Sequence, residues 1–366
     1  MENRLKSVFG KHAERLQMIV DTNIDKFKEP FFPKYFSMAN PQNGLTYATV
    51  IGRSRIEAAA SVVAHGAEAP LRSRAGLEKL SGDIAAIKVK RRLDESDWRD
   101  YLNLQGLNVS DEVLKTQMFQ LIWDDTKYVV DSVRSRLDIM AAQALSTGTI
   151  PINATTNPDG VVPGTIDLLV PALHKRKRAN FGDYSDNASN LGTTSWAAAG
   201  GTPISDIRAL TRAVWDKEGI VYGKILMEPT TWWNIQKTTE VTTAFDGQPA
   251  LDNFNSFMQS QNLPIIELVE VRAKIEKDGN ITSVKTWEDK KYVTFVPDGD
   301  LGKIHNAISI EEITPVDNVI YAVTDRILIS KWKQTEPFGE YTRGEIAAIP
   351  GLEVADQIFI LDVETA

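Results

Sequence analysis

The chain has no cysteine in its 366 residues. That absence excludes disulfides, thiolate metal sites and a cysteine nucleophile together, and it suits a reducing compartment. Histidine is nearly as scarce: His12, His65, His174 and His305 are the full set. None lies in a nucleophile-elbow sequence, an HExxH helix or a His-rich cluster, so each reads as a surface or loop residue. There is no Walker A loop and no GxGxxG. Gly200 and Gly201 stand between Ala-Ala-Ala and Thr-Pro, a loop sequence and not a phosphate cradle. No window reaches about 18 uninterrupted apolar residues, so no transmembrane helix and no membrane partner is expected. The opening MENRLKSVFGKHAERL lacks the apolar stretch of a secretory signal. Asp124 and Asp125 are the nearest thing to a carboxylate pair, but helix neighbours point about 100° apart and cannot share a substrate. The expectation is no catalytic residue, no cofactor and no metal.

What is present is ordinary globular composition: 42% apolar, 25% charged. The length predicts two or three domains. Lysine plus arginine number 41 against 49 acids, a net charge of −8, which disfavours binding nucleic acid through the whole surface. Two basic runs stand out. HKRKR at 174–178 reads as a solvated loop, a DNA contact, or a partner for an acidic patch on a neighbour. VKRRLDESDW at 89–98 is more informative. From Ile87 to Leu93 the residues alternate, with Ile87, Val89, Arg91 and Leu93 on one side and Lys88, Lys90 and Arg92 on the other. That is a strand period, and it suits cations pairing with carboxylates across strands or subunits.

Helical spacing predicts a helix over 2–28 and a long one over 111–145, opened by Ser110 and stopped by Gly148. FKEPFFPKYF, with two prolines, forbids a regular helix and sets Phe31, Phe32, Tyr35 and Phe36 in search of burial, either in this chain's own core or on another domain or subunit. Residues 45–93 read as a long hairpin-like excursion with a polar tip, which must lie on something to be stable. An α/β pattern runs over 204–325, with a hairpin turn at 277–280. Strand-like runs return in the tail.

Several segments resemble the phage major capsid protein E family of tailed double-stranded DNA phages: FKEPFFPKYF, LRSRAG (71–76), KRRLDESD, GTTSWAAAGGTPISDIRAL, MEPTTWWNI, FVPDG (295–299) and KWKQTEPFGEYTRGEIAAIPGL (331–352). The N-terminal helix and a longer 150–200 region depart from the pattern. The resemblance implies an α+β fold of the Hong Kong 97 type. It maps 1–45 to an N-terminal helix and arm, 46–93 to an extended β loop, 94–203 with 326–366 to a peripheral domain carrying a spine helix at 108–148, and 204–325 to an axial α/β domain. It implies a structural protein that assembles in the host cytoplasm into hexamers and pentamers of an icosahedral virion shell. The implied partners are copies of itself, portal, scaffolding and decoration proteins, and packaged DNA held without sequence specificity. The candidate inter-subunit residues are Arg72, Arg74, Lys88, Lys90, Arg92, Phe31, Phe32 and Phe36. An encapsulin-type shell enclosing an enzyme shares the fold. A carbohydrate-active protein is the alternative that the adjacent Trp232 and Trp233 raise.

Overall fold

One helix, Asp111–Thr147, organises the molecule. At 1.5 Å per residue it is roughly 55 Å long. The computed structural model describes residues 13–51, 78–96, 99, 111–153, 157–158, 164–184, 191, 194–277, 280–287 and 290–364. From Trp123 to Arg136 buried positions alternate with exposed or half-buried ones, so one side is covered. From Leu137 to Ser146 every side chain is buried. Small residues make that possible: Ala141, Ala142, Ala144 and Ser146 let sheets approach closely on several sides. The helix ends at Gly148, whose φ of +67° is left-handed, and a Cβ there would come 2.7 Å from Val170. Its N–H closes on the Ala144 carbonyl at 3.0 Å, the usual end of a helix that stops on glycine.

Two sheets flank this helix. The six-stranded one is built on Phe338–Leu352, whose first half has Ile327–Thr335 on one side and Ala86–Leu93 on the other. Gly302–Ala307 pairs with its second half, Phe36–Met38 adds in parallel to Gly302–Ala307, and Ile320–Thr324 pairs with Ile327–Thr335. Gly344 is where this sheet meets the helix, because a Cβ there would stand 3.0 Å from both the Val129 carbonyl oxygen and its Cβ.

The five-stranded sheet has the order Lys175–Lys177, Phe359–Asp362, Tyr292–Val296, Lys224–Met227, Ile265–Leu268. Its two faces serve two cores, and the strand period decides which. Thr294 stands opposite Leu226 and Ile360; this row faces the first core, and the Thr294 hydroxyl donates to the Leu145 carbonyl at 2.8 Å. Phe295 stands opposite Ile225 and Phe359, a row that faces the second core. That core is closed by the helices Pro203–Glu218, Pro229–Gln236, Thr239–Phe245 and Leu251–Ser260.

The cores divide the chain differently from the expected 204–325. The second core also takes Phe181, Tyr184, Trp196, Phe359, Leu361 and Val363. Leu301, Ile304, Ala307 and Ala322 go to the first, because their strands hydrogen-bond to the tail strands. Of the N-terminal helix expected over 2–28, residues 2–12 lie outside the described residues, and the helix stops at Thr22, short of 28. Within the described residues it runs Ala13–Thr22, and a 3-10 turn follows at Ile24–Lys26. Gln17 completes the sheet edge, its amide exchanging bonds with the Val323 N–H and C=O at 2.8 and 2.9 Å.

The hairpin expected at 277–280 forms, with Arg272–Lys277 antiparallel to Asn280–Lys285. HKRKR is not a solvated loop: Lys175–Lys177 is an edge strand, and the flanking His174 and Arg178 are buried. The reading of His174 as a surface residue therefore fails. It packs between Phe359 and Tyr184 and meets the Glu218 carboxylate at 3.0 Å.

Candidate assembly surface

Four of the quoted motifs have a physical explanation within the chain. In SWAAAGGTPISDI, the Trp196 indole N–H donates to the buried Asp206 in the first turn of the next helix at 2.8 Å. In MEPTTWWNI, Pro229 opens a helix behind Glu228, and the buried Glu228 carboxylate meets Arg272 at 3.3 Å and Lys285 at 3.1 Å. Trp232 packs edge-on against Phe254, while Trp233 is exposed. The adjacent tryptophans thus face apart and form no sugar platform.

FKEPFFPKYF is held by the long helix. Prolines 30 and 33 leave the neighbouring N–H groups without a helical acceptor, and buried donors need one. Asp138 supplies it, accepting from the Phe31 N–H at 2.8 Å and the Phe32 N–H at 3.1 Å, with the Lys28 ammonium 3.4 Å away. Burial pushes the Asp138 carboxyl above its ordinary range against these bonds. Asp131 takes the Lys28 N–H at 2.8 Å, and Arg134 donates to the Lys28 carbonyl at 2.9 Å. Phe32 and Phe36 are buried in this chain's own core, and Phe31 is partly exposed beside Tyr35. As candidate contacts with a neighbour, Phe32 and Phe36 are corrected: they have no surface left to offer.

The strand Ala86–Leu93 has the predicted alternation. Ile87 and Val89 pack on the core. Arg91, on the same side, reaches Asp125 of the helix at 3.3 Å and lies 4.9 Å from the Tyr128 ring centre. Asp125 is therefore a buried partner of this strand. On the other side the three cations differ. Lys88 bonds Glu345 on the adjacent strand at 2.9 Å. Lys90 stands over the Tyr341 ring at 5.0 Å. Arg92 is exposed and has no ion pair among the described residues. Glu345 also lies 3.6 Å from Arg343, which pairs with Glu311. That bond to Arg343 holds Glu311 below the ordinary carboxylate range. Sequence reasoning placed Arg91 on the apolar side but missed Asp138, whose partners Lys28, Phe31 and Phe32 lie more than 100 residues away, and the buried charges of Lys331 and Glu340.

Arg72 and Arg74 lie outside the described residues, as does most of the loop they belong to. Its two stems pair, Thr46–Ile51 antiparallel to Glu78–Asp83.

The family model for phage major capsid protein E matches residues 20–363. The chain belongs to that family. This capsid protein has a structural role in an icosahedral phage shell built from copies of itself. Its architecture is the Hong Kong 97 type of phage capsid fold. A phage-related protein from Bordetella bronchiseptica RB50 is similar over 94% of this chain and 96% of its own, with a TM-score of 0.54 and 12% identity. A protein from Escherichia coli CFT073, described as a prophage capsid protein, is similar over 96% and 98%, with a TM-score of 0.54 and 13% identity. No curated protein matches the sequence. Membership in a phage capsid family sets the encapsulin-type and carbohydrate-active readings aside. Among the described residues no cluster of histidine and carboxylates could hold a metal ion, and no helix is long and apolar enough to cross a membrane.

Proposed function

We propose that this capsid protein forms hexamers and pentamers of a phage head, acts without catalysis, and assembles in the host cytoplasm with portal, scaffolding and decoration proteins. The observation that carries the reading is the family match over residues 20–363 together with a fold shared along the whole chain. Many modest contacts acting together on each subunit suffice to hold such a shell. The −8 net charge supports packaged DNA as content and not as ligand, since phosphate neutralisation by basic side chains is what makes DNA binding tight.

In this reading 46–93 is the extended loop that reaches a neighbour. The unit around the long helix and the six-stranded sheet is the peripheral domain, and the second core belongs to the axial domain. Arg72, Arg74, Lys90 and Arg92 are the cations this reading assigns to contacts with another subunit; Lys88 has an acid of its own. The test is direct: the full chain, alone and with candidate scaffolds, is followed by light scattering and electron microscopy. Closed particles are expected, and monomers under every condition would sink the reading.

A further inference from the structure

In the HKRKR run His174 and Arg178 are spent inside the fold, while the strand between them lies at a sheet edge. Lys175–Lys177 is one terminal strand of the five-stranded sheet, and Ile265–Leu268 is the other. Four strand spacings of about 4.8 Å put these edges roughly 19 Å apart. Their chemistry is opposite. At the first edge Lys177 is exposed, and the C-terminal end of the helix Pro203–Glu218 is tied to it through the Glu218 contacts with His174 and Tyr184. That helix exposes Arg208 and Arg212, the latter in a loose pair with Asp216 at 3.8 Å. Large apolar side chains are exposed beside the strand and on the helix tied to it, Leu173 at 45% and Trp215 at 59%.

At the other edge acids predominate, although Lys224 of the neighbouring strand pairs with Glu267 at 2.8 Å and Glu240 is spent on the Ile204 and Ser205 N–H groups, which leaves Asp246, Asp252 and Glu270 exposed. Between Lys237 and Arg272 there is no lysine or arginine, while Glu240, Asp246, Asp252, Glu267 and Glu270 fall there. Asp252 is exposed on the helix Leu251–Ser260, which Asn255 ties to Ile266 of the edge strand at 2.8 and 2.9 Å. Asp246 follows Phe245, whose ring packs on Phe254 and Phe257 of that helix, and Glu270 is exposed just past the strand. Phe257, Leu251 and Leu268 are only partly covered.

We propose that these two edges are the two halves of one head-to-tail contact, with the basic, apolar edge of each capsid protein seated on the acidic edge of the next. This rests on the shell reading above and adds the partner surface. A ring of identical chains needs two different, complementary patches on each copy. Tryptophan and arginine at the centre of a patch are typical of protein contacts. Exposed Leu173 and Trp215 do not suit a duplex phosphate backbone, so a second copy is favoured over DNA.

The experiment reverses each edge and counts rings by native mass spectrometry of the full chain. Lys177→Glu with Arg212→Glu reverses one edge; Asp246→Lys with Asp252→Lys reverses the other. Each pair should leave thermal unfolding unchanged and reduce rings at least about tenfold, since like charges then face each other. All four changes in one chain should restore rings. Mixing the two pair variants should restore six-membered rings and not five-membered ones, because the two kinds must alternate. If a variant fails to fold, the wild type still decides: its rings should weaken about tenfold as salt shortens the reach of charge, and salt-insensitive rings overturn the proposal. So do reversals that assemble like wild type, or a fourfold variant no better than the pairs. Rings that persist while DNA retention falls would assign the basic edge to nucleic acid instead. A wild type that forms no particles at all is the failure of the shell reading, not of this one.

Discussion

The N-terminal arm and the strand Ala86–Leu93 both lie against the long helix, and both carry residues that look adhesive in sequence. The arm consumes its adhesive groups inside the chain. Phe32 and Phe36 are buried, and the free N–H groups around Pro30 end on Asp138. The strand consumes only half. Arg91 and Lys88 find acids within the chain, while Lys90 has a tyrosine ring and Arg92 stays exposed. An apolar group must be buried somewhere, and the nearest core takes it. A surface cation stays solvated at little cost, so it is the group a subunit can keep for a partner.

Breaking the arm's anchor gives the largest effect. Asp138→Ala strands two buried N–H groups and the Lys28 charge, and a loss of roughly 3–5 kcal/mol is expected in urea unfolding. Asp138→Asn keeps an acceptor and should lose less. The pH dependence has a definite sign. Burial raises the folded Asp138 above its ordinary value, so the folded state holds the proton longer. The Asp138 contribution therefore falls as pH rises from the ordinary carboxylate range to the folded value, and Asp138→Asn should abolish that fall. A variant that keeps it would assign the titration elsewhere.

Next comes the seat of the strand. Gly344 lies opposite Val89 and touches Val129 of the helix. Gly344→Val needs space that the helix backbone already fills, and a loss of about 1–3 kcal/mol is expected by thermal or chemical unfolding. No loss would mean that the sheet slides easily off the helix, which would undo the distinction between an anchored inner face and a free outer one.

Much of this was legible beforehand. The alternation of Ile87 to Leu93 gave a strand with the right faces, and Gly148 gave the end of the helix. The helices at Pro203, Pro229 and Leu251 follow their apolar spacing. What stayed hidden depends on distant partners. Phe338–Leu352 carries Gly339, Gly344, Pro350 and Gly351 and is buried along nearly its whole length, so it has neither clean alternation nor strong strand propensity. His174 and Arg178 look solvated inside HKRKR. They are buried because Glu218 and the Thr194 carbonyl, 44 and 16 residues away, receive them. The two cores cut across the expected domain bounds because the five-stranded sheet takes strands from three separated stretches, and period alone does not say which sheet a strand joins.

The outer cations divide by the same logic. Lys88→Glu sets like charges against Glu345 at a partly covered site, and about 1 kcal/mol of subunit stability should go with it. Lys90→Glu with Arg92→Glu should stay within about 0.5 kcal/mol of wild type in unfolding and still suppress particles in electron micrographs. Equal loss of stability in both variants would place all three cations in the subunit's own structure.

The smallest effect concerns Glu311, which lies beside the Lys88–Glu345–Arg343 network. Arg343 and the Tyr321 hydroxyl, at 3.3 Å, hold its charged form, and the bond to Arg343 lowers its proton affinity below the ordinary value. A lowered folded value means stability that is present above the ordinary carboxylate range and lost as pH falls through the folded value. Glu311→Gln should therefore cost a few tenths of a kcal/mol at neutral pH, as expected for a solvent-screened pair, and the difference from wild type should vanish in acid. A difference that persists in acid would mean that the Gln side chain disturbs packing around Arg343. The network would then belong with the arm, as structure fixed inside the subunit, and not with the half of the strand left open to a partner.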